Sequence, residues 1–243
     1  MRALRVLLIV VVILGVLFAV VDRVAVYFAE DQAADKLRTT ENLASTPDVS
    51  IKGFPFLTQM ASGELDDVEV GIKDYEADTG KSGQKIRIDD LKAHMRDVSF
   101  SGDYSSATAA TATGTATIAY DELLKAAKSE PTDIGLGLKA QVVGLSDGGN
   151  GKIKVAVKVS GLGQDQPVSV LSSVSVKDNK MQVHADDLPS LPGVSLVEGR
   201  VRSITDFQQA VDQLPGGIQL DSVRAAKDGL EISVKGSNVK LAG

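Results

Sequence analysis

The segment Ile51–Gly63 reads IKGFPFLTQMASG, and it predicts a corner at which a strand ends and a short helix begins. Pro55 fixes its own backbone angle and favours an extended conformation for Phe54. Gly53, just before this pair, allows the chain to bend. We therefore expect the corner to carry two large aromatic rings towards the protein core.

Leu57 and Met60 follow Phe56 at helical spacing, and Gly63 is suited to end such a helix. One interpretation is that the rings simply fill the core at the corner. The other is that they lie at the mouth of an apolar cavity. The sequence pattern alone leaves both interpretations open.

An apolar segment precedes this corner. Arg2 and Arg5 are followed by an uncharged run, Val6–Val21, which Asp22 and Arg23 interrupt before apolar residues resume. The run is slightly shorter than the roughly 20 residues of a full membrane span. Positive charge before the run predicts a cytoplasmic N-terminus and an extracytoplasmic remainder.

We expect this segment to be an uncleaved anchor, because no residue in it has the small-x-small pattern of a good cleavage site. Ala19, Ala25 and Ala29 each have a large residue two positions earlier. The predicted organisation is an anchor over residues 1–29 and one domain over residues 30–243. The chain has no Cys, so neither disulfides nor a lipidated Cys are expected.

The charge of the chain excludes some partners. The formal net charge is −6, the pI is about 5.0, and no basic run follows the anchor. Nucleic acid is therefore not expected as a partner, nor is electrostatic adhesion to anionic head groups. A lipid ligand would have to be held through its acyl chains.

Alternation of apolar and polar residues predicts a β-rich domain. The clearest strands are Ile134–Val142, Ile153–Val159 and Val168–Val176, with a hairpin turn at Gly148–Gly151. We expect an α+β fold with a long curved antiparallel sheet of about nine or ten strands wrapped around helices. Aromatic residues make up only 4% of the chain, which favours an incompletely filled interior, although a filled barrel or sandwich fits the same pattern.

Several irregular features are also predicted. The phase of alternation changes at Asp89–Asp90, which indicates a β-bulge. Ala107–Thr117 is predicted to be a strand of small residues. Tyr120–Lys128 and Ile204–Leu214 are predicted to be helices, because apolar residues recur at helical spacing.

A further helix is predicted from Asp22 to about Ala44. Val24, Tyr27 and Phe28 are expected to share its apolar face.

No residue set points to catalysis. His94 and His184 are expected to be surface residues, and a zinc site is not expected without Cys. Each acidic doublet places its two side chains on opposite faces of a strand. No G-x-S-x-G motif occurs. We therefore expect no catalytic residue, no metal and no cofactor. The doublets are Asp66–Asp67, Asp89–Asp90 and Asp186–Asp187; the basic residues of one predicted strand are Lys152, Lys154 and Lys158.

Two stretches carry a resemblance to a known family. DVSIKGFPFLTQ at Asp48–Gln59 and KDGLEISVKGSNVKL at Lys227–Leu241 resemble the LmeA family of actinobacterial envelope proteins, which are anchored or secreted. The resemblance implies phospholipid binding in a half-barrel like that of tubular lipid-binding domains. It also implies a lipid-carrier or accessory role in envelope glycolipid maturation, without enzymatic activity.

The expected partners are phospholipid and, through Val6–Val21, the cytoplasmic membrane. The alternative is an anchored structural or interaction domain with a filled β-rich core. The candidate lipid-binding residues are Phe54, Pro55, Phe56, Leu57, Met60, Val155, Val157, Val170, Val174 and Phe207.

Overall fold

The fold is that of a computed structural model. It describes residues 2–78, 85–103, 105–127, 131–135, 137–161, 164–186, 207–210 and 217–242. The predicted loops at Thr79–Gln84 and Leu188–Gly193 lie outside these ranges. The helices are α1 (Arg2–Thr40), α2 (Phe56–Ser62) and α3 (Tyr120–Ala127).

The strands of the described chain form two antiparallel sheets. In chain order they are β1 (Asp48–Lys52), β2 (Glu64–Ile72), β3 (Tyr75–Asp78), β4 (Lys85–Phe100), β5 (Ala107–Ala119), β6 (Thr132–Gly135), β7 (Leu138–Gly149), β8 (Lys152–Gly161), β9 (Gln164–Lys177), β10 (Lys180–Ala185), β11 (Phe207–Ala210), β12 (Ile218–Ala225) and β13 (Gly229–Ala242). The first sheet has the order β1-β2-β4-β5-β13-β12, with β3 paired to β4. The second has the order β11-β10-β9-β8-β7-β6. The predicted α+β fold, with a curled antiparallel sheet and an apolar N-terminal helix, is confirmed.

α1 is one continuous helix through the predicted boundary at residue 29. It ends at Thr40, a little before the predicted end near Ala44. Val24, Tyr27 and Phe28, which were predicted to share an apolar face of the helix, are all exposed. Ala25, Val26 and Ala29 are among the α1 side chains that pack against the domain.

The predicted bulge at Asp89–Asp90 is confirmed. Three residue steps from Asp89 to Lys92 on β4 oppose two steps from Thr117 to Thr115 on β5. Asp90 has a φ of 47°, in the left-handed region that short polar side chains tolerate. The extra residue bends β4 and helps the first sheet to curl.

Two predictions from periodicity are wrong. The predicted strand Ile134–Val142 is a hairpin of β6 and β7, because Gly135 and Gly137 adopt φ angles of 93° and 75° and turn the chain. The predicted helix over Ile204–Leu214 contains β11, which pairs with the free edge of β10. Edge pairing therefore overrides helical spacing in this segment, whose remaining residues lie outside the described ranges.

The buried residues form two clusters. One joins both sheets and α3, with Ile134 and Leu230 almost inaccessible to solvent. The other lies where α1 and the Phe-Pro-Phe corner meet the first sheet, and it contains Val26, Ile51 and Phe56. We call these the inter-sheet cluster and the corner cluster.

Candidate functional site

The corner folds as its sequence predicts. β1 ends at Lys52, and α2 begins at Phe56, with a cis peptide bond between Phe54 and Pro55. Gly63 ends α2 in the left-handed conformation, with a φ of 77°, and its N–H donates to the Met60 carbonyl over 3.1 Å. The prediction of a short helix ended by Gly63 is therefore confirmed.

The two rings of the corner have different environments. Phe56 is 5% exposed and belongs to the corner cluster. Phe54 is 60% exposed, and the Arg23 guanidinium lies 5.3 Å from the centre of its ring, within cation–π range. The expectation that both rings enter the core is therefore wrong for Phe54, which forms part of the surface beside α1, and right for Phe56.

The charges that interrupt the apolar run of α1 bind this corner. The Asp22 side chain is fully buried, and its Oδ1 accepts a hydrogen bond from the Leu57 N–H over 2.8 Å. This contact satisfies a donor at the N-terminus of α2, where Pro55 has no side-chain group to offer. Arg23 donates to Asp22 Oδ2 over 2.7 Å and to the Gly53 carbonyl over 3.1 Å. These contacts of Asp22 and Arg23 were not predicted, because their sequence signal is only two charges within an apolar run.

The remaining predicted residues fall into separate places. Leu57 and Met60 are partly buried against the corner cluster. Val155 and Val157 are buried in the inter-sheet cluster, and Val174 packs against it. The structure therefore places the corner residues and the meander residues in different clusters.

Two further predicted residues complete this set. Val170 is 2% exposed within β9. Phe207 lies on β11, opposite Val183 in the register.

Several apolar side chains from β7, β8, β9 and β10 that pack against the inter-sheet cluster are only partly buried. We call five of them the aliphatic seam: Val142, Val159, Val174, Val176 and Met181. Of these, only Val174 was among the named candidates. The alternating pattern marks the others as inward-facing, but which inward-facing residues are incompletely covered depends on how the sheets pack.

The first sheet has a polar face on the side away from the corner cluster, and a depression of about 340 Å³ lies on that face. It is lined by Asp48, Ser50, Glu69, Val70, Gly71, Lys92, Ala93, His94, Thr113, Gly114 and Thr115. None of the predicted lipid-binding residues lines it. Its hydroxyl, carboxylate and amino groups suit a small polar group and not an acyl chain.

One edge of this depression brings together three groups that could ligate a metal ion. One ligand atom each of Asp67, Glu69 and His94 lie within 4.8 Å of one another. His94 Nε2 is 2.8 Å from Asp67 Oδ2, and Glu69 forms an ion pair with Lys52. No local sequence pattern predicts this cluster, because it depends on the register of β2 against β4, in which Glu69 pairs with His94.

The cluster is explained by ion pairing on a sheet surface. The Lys52 pairing compensates the charge of Glu69, and Asp67 faces both His94 and Arg96, whose Nε is 4.0 Å away. Three protein ligands would suffice for a zinc ion with an open coordination position. In the described residues, the three candidate ligand atoms are therefore already ion-paired or hydrogen-bonded to neighbouring side chains.

The acidic doublets have separate structural roles in the described chain. Asp186 forms an ion pair with Lys152 over 2.8 Å and accepts a hydrogen bond from the Ser173 hydroxyl over 2.6 Å. The Lys152 and Ser173 contacts lower the pKa of the Asp186 carboxyl. Asp90 lies in the bulge described above. Asp187 lies outside the described residues.

The sequence of this chain matches a known protein family. A family model described as LmeA-like phospholipid-binding matches residues 20–235. The chain belongs to this LmeA-like phospholipid-binding family. No curated protein and no solved structure gives a significant match.

The extent of the LmeA-like match is informative. It begins at residue 20, so it includes Asp22 and Arg23 and excludes most of the apolar run. α1 is long and apolar enough to cross a membrane, a property shared by anchors and signal sequences. The contacts between α1 and the corner therefore lie within the region that the family model matches.

Proposed function

We propose that this protein is an extracytoplasmic phospholipid-binding protein that holds acyl chains in an apolar groove and catalyses no reaction. The family assignment supports phospholipid as the ligand. We further propose that Val6–Val21 anchors it in the cytoplasmic membrane, with Arg2 and Arg5 on the cytoplasmic side.

The observation that carries the groove is the aliphatic seam. Its side chains pack on the inter-sheet cluster but retain exposed apolar surface. An acyl chain that covered this surface would contribute roughly 25 cal/mol for each Å² of apolar area removed from water. Binding of an acyl chain at the seam would therefore bury apolar surface, whereas a completely filled interior would have none left to bury.

We assign the predicted residues distinct roles in this groove. Val174 would contact the acyl chain, because it belongs to the seam. Val155, Val157 and Val170 would form the floor beneath it, since they are already buried. The corner residues Phe54, Pro55, Phe56, Leu57 and Met60 would form its mouth, and we place Phe207 beside β10 at the far edge.

The biological role that we propose rests on the family resemblance. Members of the resembled family act in envelope glycolipid maturation. We propose that this chain acts there as a lipid carrier or accessory protein, because a groove for acyl chains can hold a lipid without altering it covalently.

Native mass spectrometry of the full chain, extracted from membranes, tests the groove. Val142→Trp should occupy the part of the seam formed by β7 and β8 and lower the fraction of protein that carries phospholipid at least several-fold. Val143→Trp is the matched control, because Val143 is the adjacent residue and is exposed. Equal occupancy in the two folded variants would contradict the groove at the seam.

A second function, an anchored structural or interaction domain, is favoured by a different observation. Ile134, Leu230 and the floor valines are packed as in an ordinary filled core. Under this alternative the wild-type protein would be recovered without lipid and would not take up labelled phospholipid. The same mass spectrometry experiment therefore separates the two functions.

A further inference from the structure

The length of the apolar run conflicts with the thickness of a bilayer. Val6–Val21 spans about 24 Å at a rise of roughly 1.5 Å per residue. The hydrocarbon core of a bilayer is about 30 Å thick. If the inner boundary lies near Arg5, the outer boundary falls about four residues beyond Val21. It therefore passes the two charges at Asp22 and Arg23.

The structure removes the usual objection to charges at this depth. Asp22 is fully buried against the corner, with both carboxylate oxygens hydrogen-bonded. The half-exposed Arg23 neutralises Asp22 and covers the ring of Phe54. Charged groups near a membrane boundary are tolerated when they are paired in this way or reach the interface. The part of α1 that can lie in the membrane therefore need not stop at Asp22 and Arg23.

Exposed apolar side chains surround this ion pair. Val24, Tyr27 and Phe28 point away from the domain, and Phe54 is exposed beside Arg23. The Tyr27 and Phe28 rings make an edge-to-face contact with centres 6.2 Å apart. We call these four residues the apolar patch. Aromatic residues placed just beyond an apolar run are typical of the membrane interface.

We propose that the apolar patch lies in the outer interfacial layer of the bilayer that α1 spans, so that the Phe54 corner contacts lipid directly. The partner is the bilayer itself, since Val24, Tyr27 and Phe28 continue the exposed apolar surface of α1 and Phe54 lies beside Arg23 next to it. The domain is thereby docked on the membrane and is not held away from it. This inference rests on the retained anchor of the proposed function, but not on the acyl-chain groove.

The chain contains no Trp, so a single introduced Trp can report the depth of the corner. The full-length Phe54→Trp variant would be reconstituted in phosphatidylcholine vesicles carrying bromine high or low on the acyl chains. Leu171→Trp is the control, because Leu171 is exposed on β9 in the second sheet. We expect bromine near the head group to quench the fluorescence of the Phe54→Trp variant at least threefold more than that of the control. Iodide in the aqueous phase should quench the two variants in the reverse order.

Equal quenching of the two variants by brominated lipid, with equal access to iodide, would overturn the proposal. Phe28→Trp provides a second reporter that does not alter the corner, so misfolding at residue 54 cannot hide the answer. Fluorescence of the Phe28→Trp variant should show the same shallow quenching. Lipid occupancy measured separately by mass spectrometry distinguishes failure of the groove from failure of membrane docking.

Discussion

The Glu30 carboxylate accepts a hydrogen bond from the backbone N–H of Ile51 over 2.7 Å. Glu30 lies on α1, and Ile51 lies on β1 at the edge of the first sheet. An exposed edge strand offers unpaired backbone groups to other chains. The helix therefore covers part of the sheet edge with a specific side chain as well as with apolar contacts.

Glu30→Ala should lower the free energy of unfolding by about 1 kcal/mol, because the Ile51 N–H loses its partner. Asp31→Ala is the matched control, since Asp31 is the next residue and is exposed. Chemical denaturation of both variants would measure the difference. Equal stability of the two variants would show that the Glu30 contact contributes nothing.

Replacement of Asp22 should destabilise the corner most when the new side chain cannot accept the hydrogen bond from the Leu57 N–H. Asp22→Ala removes the acceptor for the Leu57 N–H, so we expect a lower Tm and loss of helical order in α2. Asp22→Asn keeps a carbonyl oxygen and should recover part of the loss. Amide hydrogen exchange at Leu57 should be slowest in wild type, faster in Asp22→Asn and fastest in Asp22→Ala. Faster exchange in Asp22→Asn than in Asp22→Ala would contradict this.

The two rings of the corner should respond differently to truncation. Phe56→Ala should cost about 3–5 kcal/mol of unfolding free energy, because it leaves a cavity in the corner cluster. Phe54→Ala should cost less than about 1 kcal/mol, the usual limit for an exposed cation–π contact. Thermal and chemical unfolding would compare them, and similar losses would disprove the assignment of one ring to the core.

Gly114 on β5 leaves room for the side chain of Val234 on β13. A Cβ at this position would lie 2.8 Å from Val234 Cγ2, which is closer than carbon atoms normally approach. Gly114→Ala should therefore cost about 1–3 kcal/mol. The control is Gly102→Ala, where a Cβ would meet nothing within 4 Å. Chemical denaturation should rank the two variants in this order.

Asp186 should make stability depend on acid pH. Its folded-state pKa lies below the ordinary value of 3.8, so its contribution is fully present above that pH. The contribution is lost as the pH falls through the folded-state pKa. Asp186→Asn should therefore be less stable than wild type at about pH 6 and approach it below about pH 3, as measured by thermal unfolding.

The matched control is Asp228→Asn, in the turn between β12 and β13, where Asp228 is exposed. It should follow the wild-type pH profile. A stability difference between wild type and Asp186→Asn that stayed constant down to about pH 2 would contradict the linkage.

Local signals in the sequence predicted much of the fold. Pro55 and Gly63 defined the corner, and the change of phase at Asp89 defined the bulge, because both depend on neighbouring residues. Gly135 and Gly137 alternate with apolar residues like the polar face of one strand, although two glycines two residues apart also suit a hairpin. Phe207 was placed in a helix because spacing within a segment does not reveal the free edge of β10.

The site was less predictable because its contacts join distant parts of the chain. Asp22 meets Leu57 across 35 residues, and no local pattern encodes that pairing. The Asp67–His94 contact likewise depends on strand register. The seam residues shared one alternating pattern with the buried valines. Only the packing of the two sheets separates those that are covered from those that are not.

The unbroken course of α1 from Arg2 to Thr40 governs how the domain can move. Because the helix continues without a break from its apolar run to the residues that pack on the domain, the domain must rotate and tilt together with α1. With α1 as the proposed membrane anchor, the domain would stay close to the bilayer surface. In the lipid-carrier role that we propose, a receiving protein would then have to approach the bilayer surface to accept the lipid.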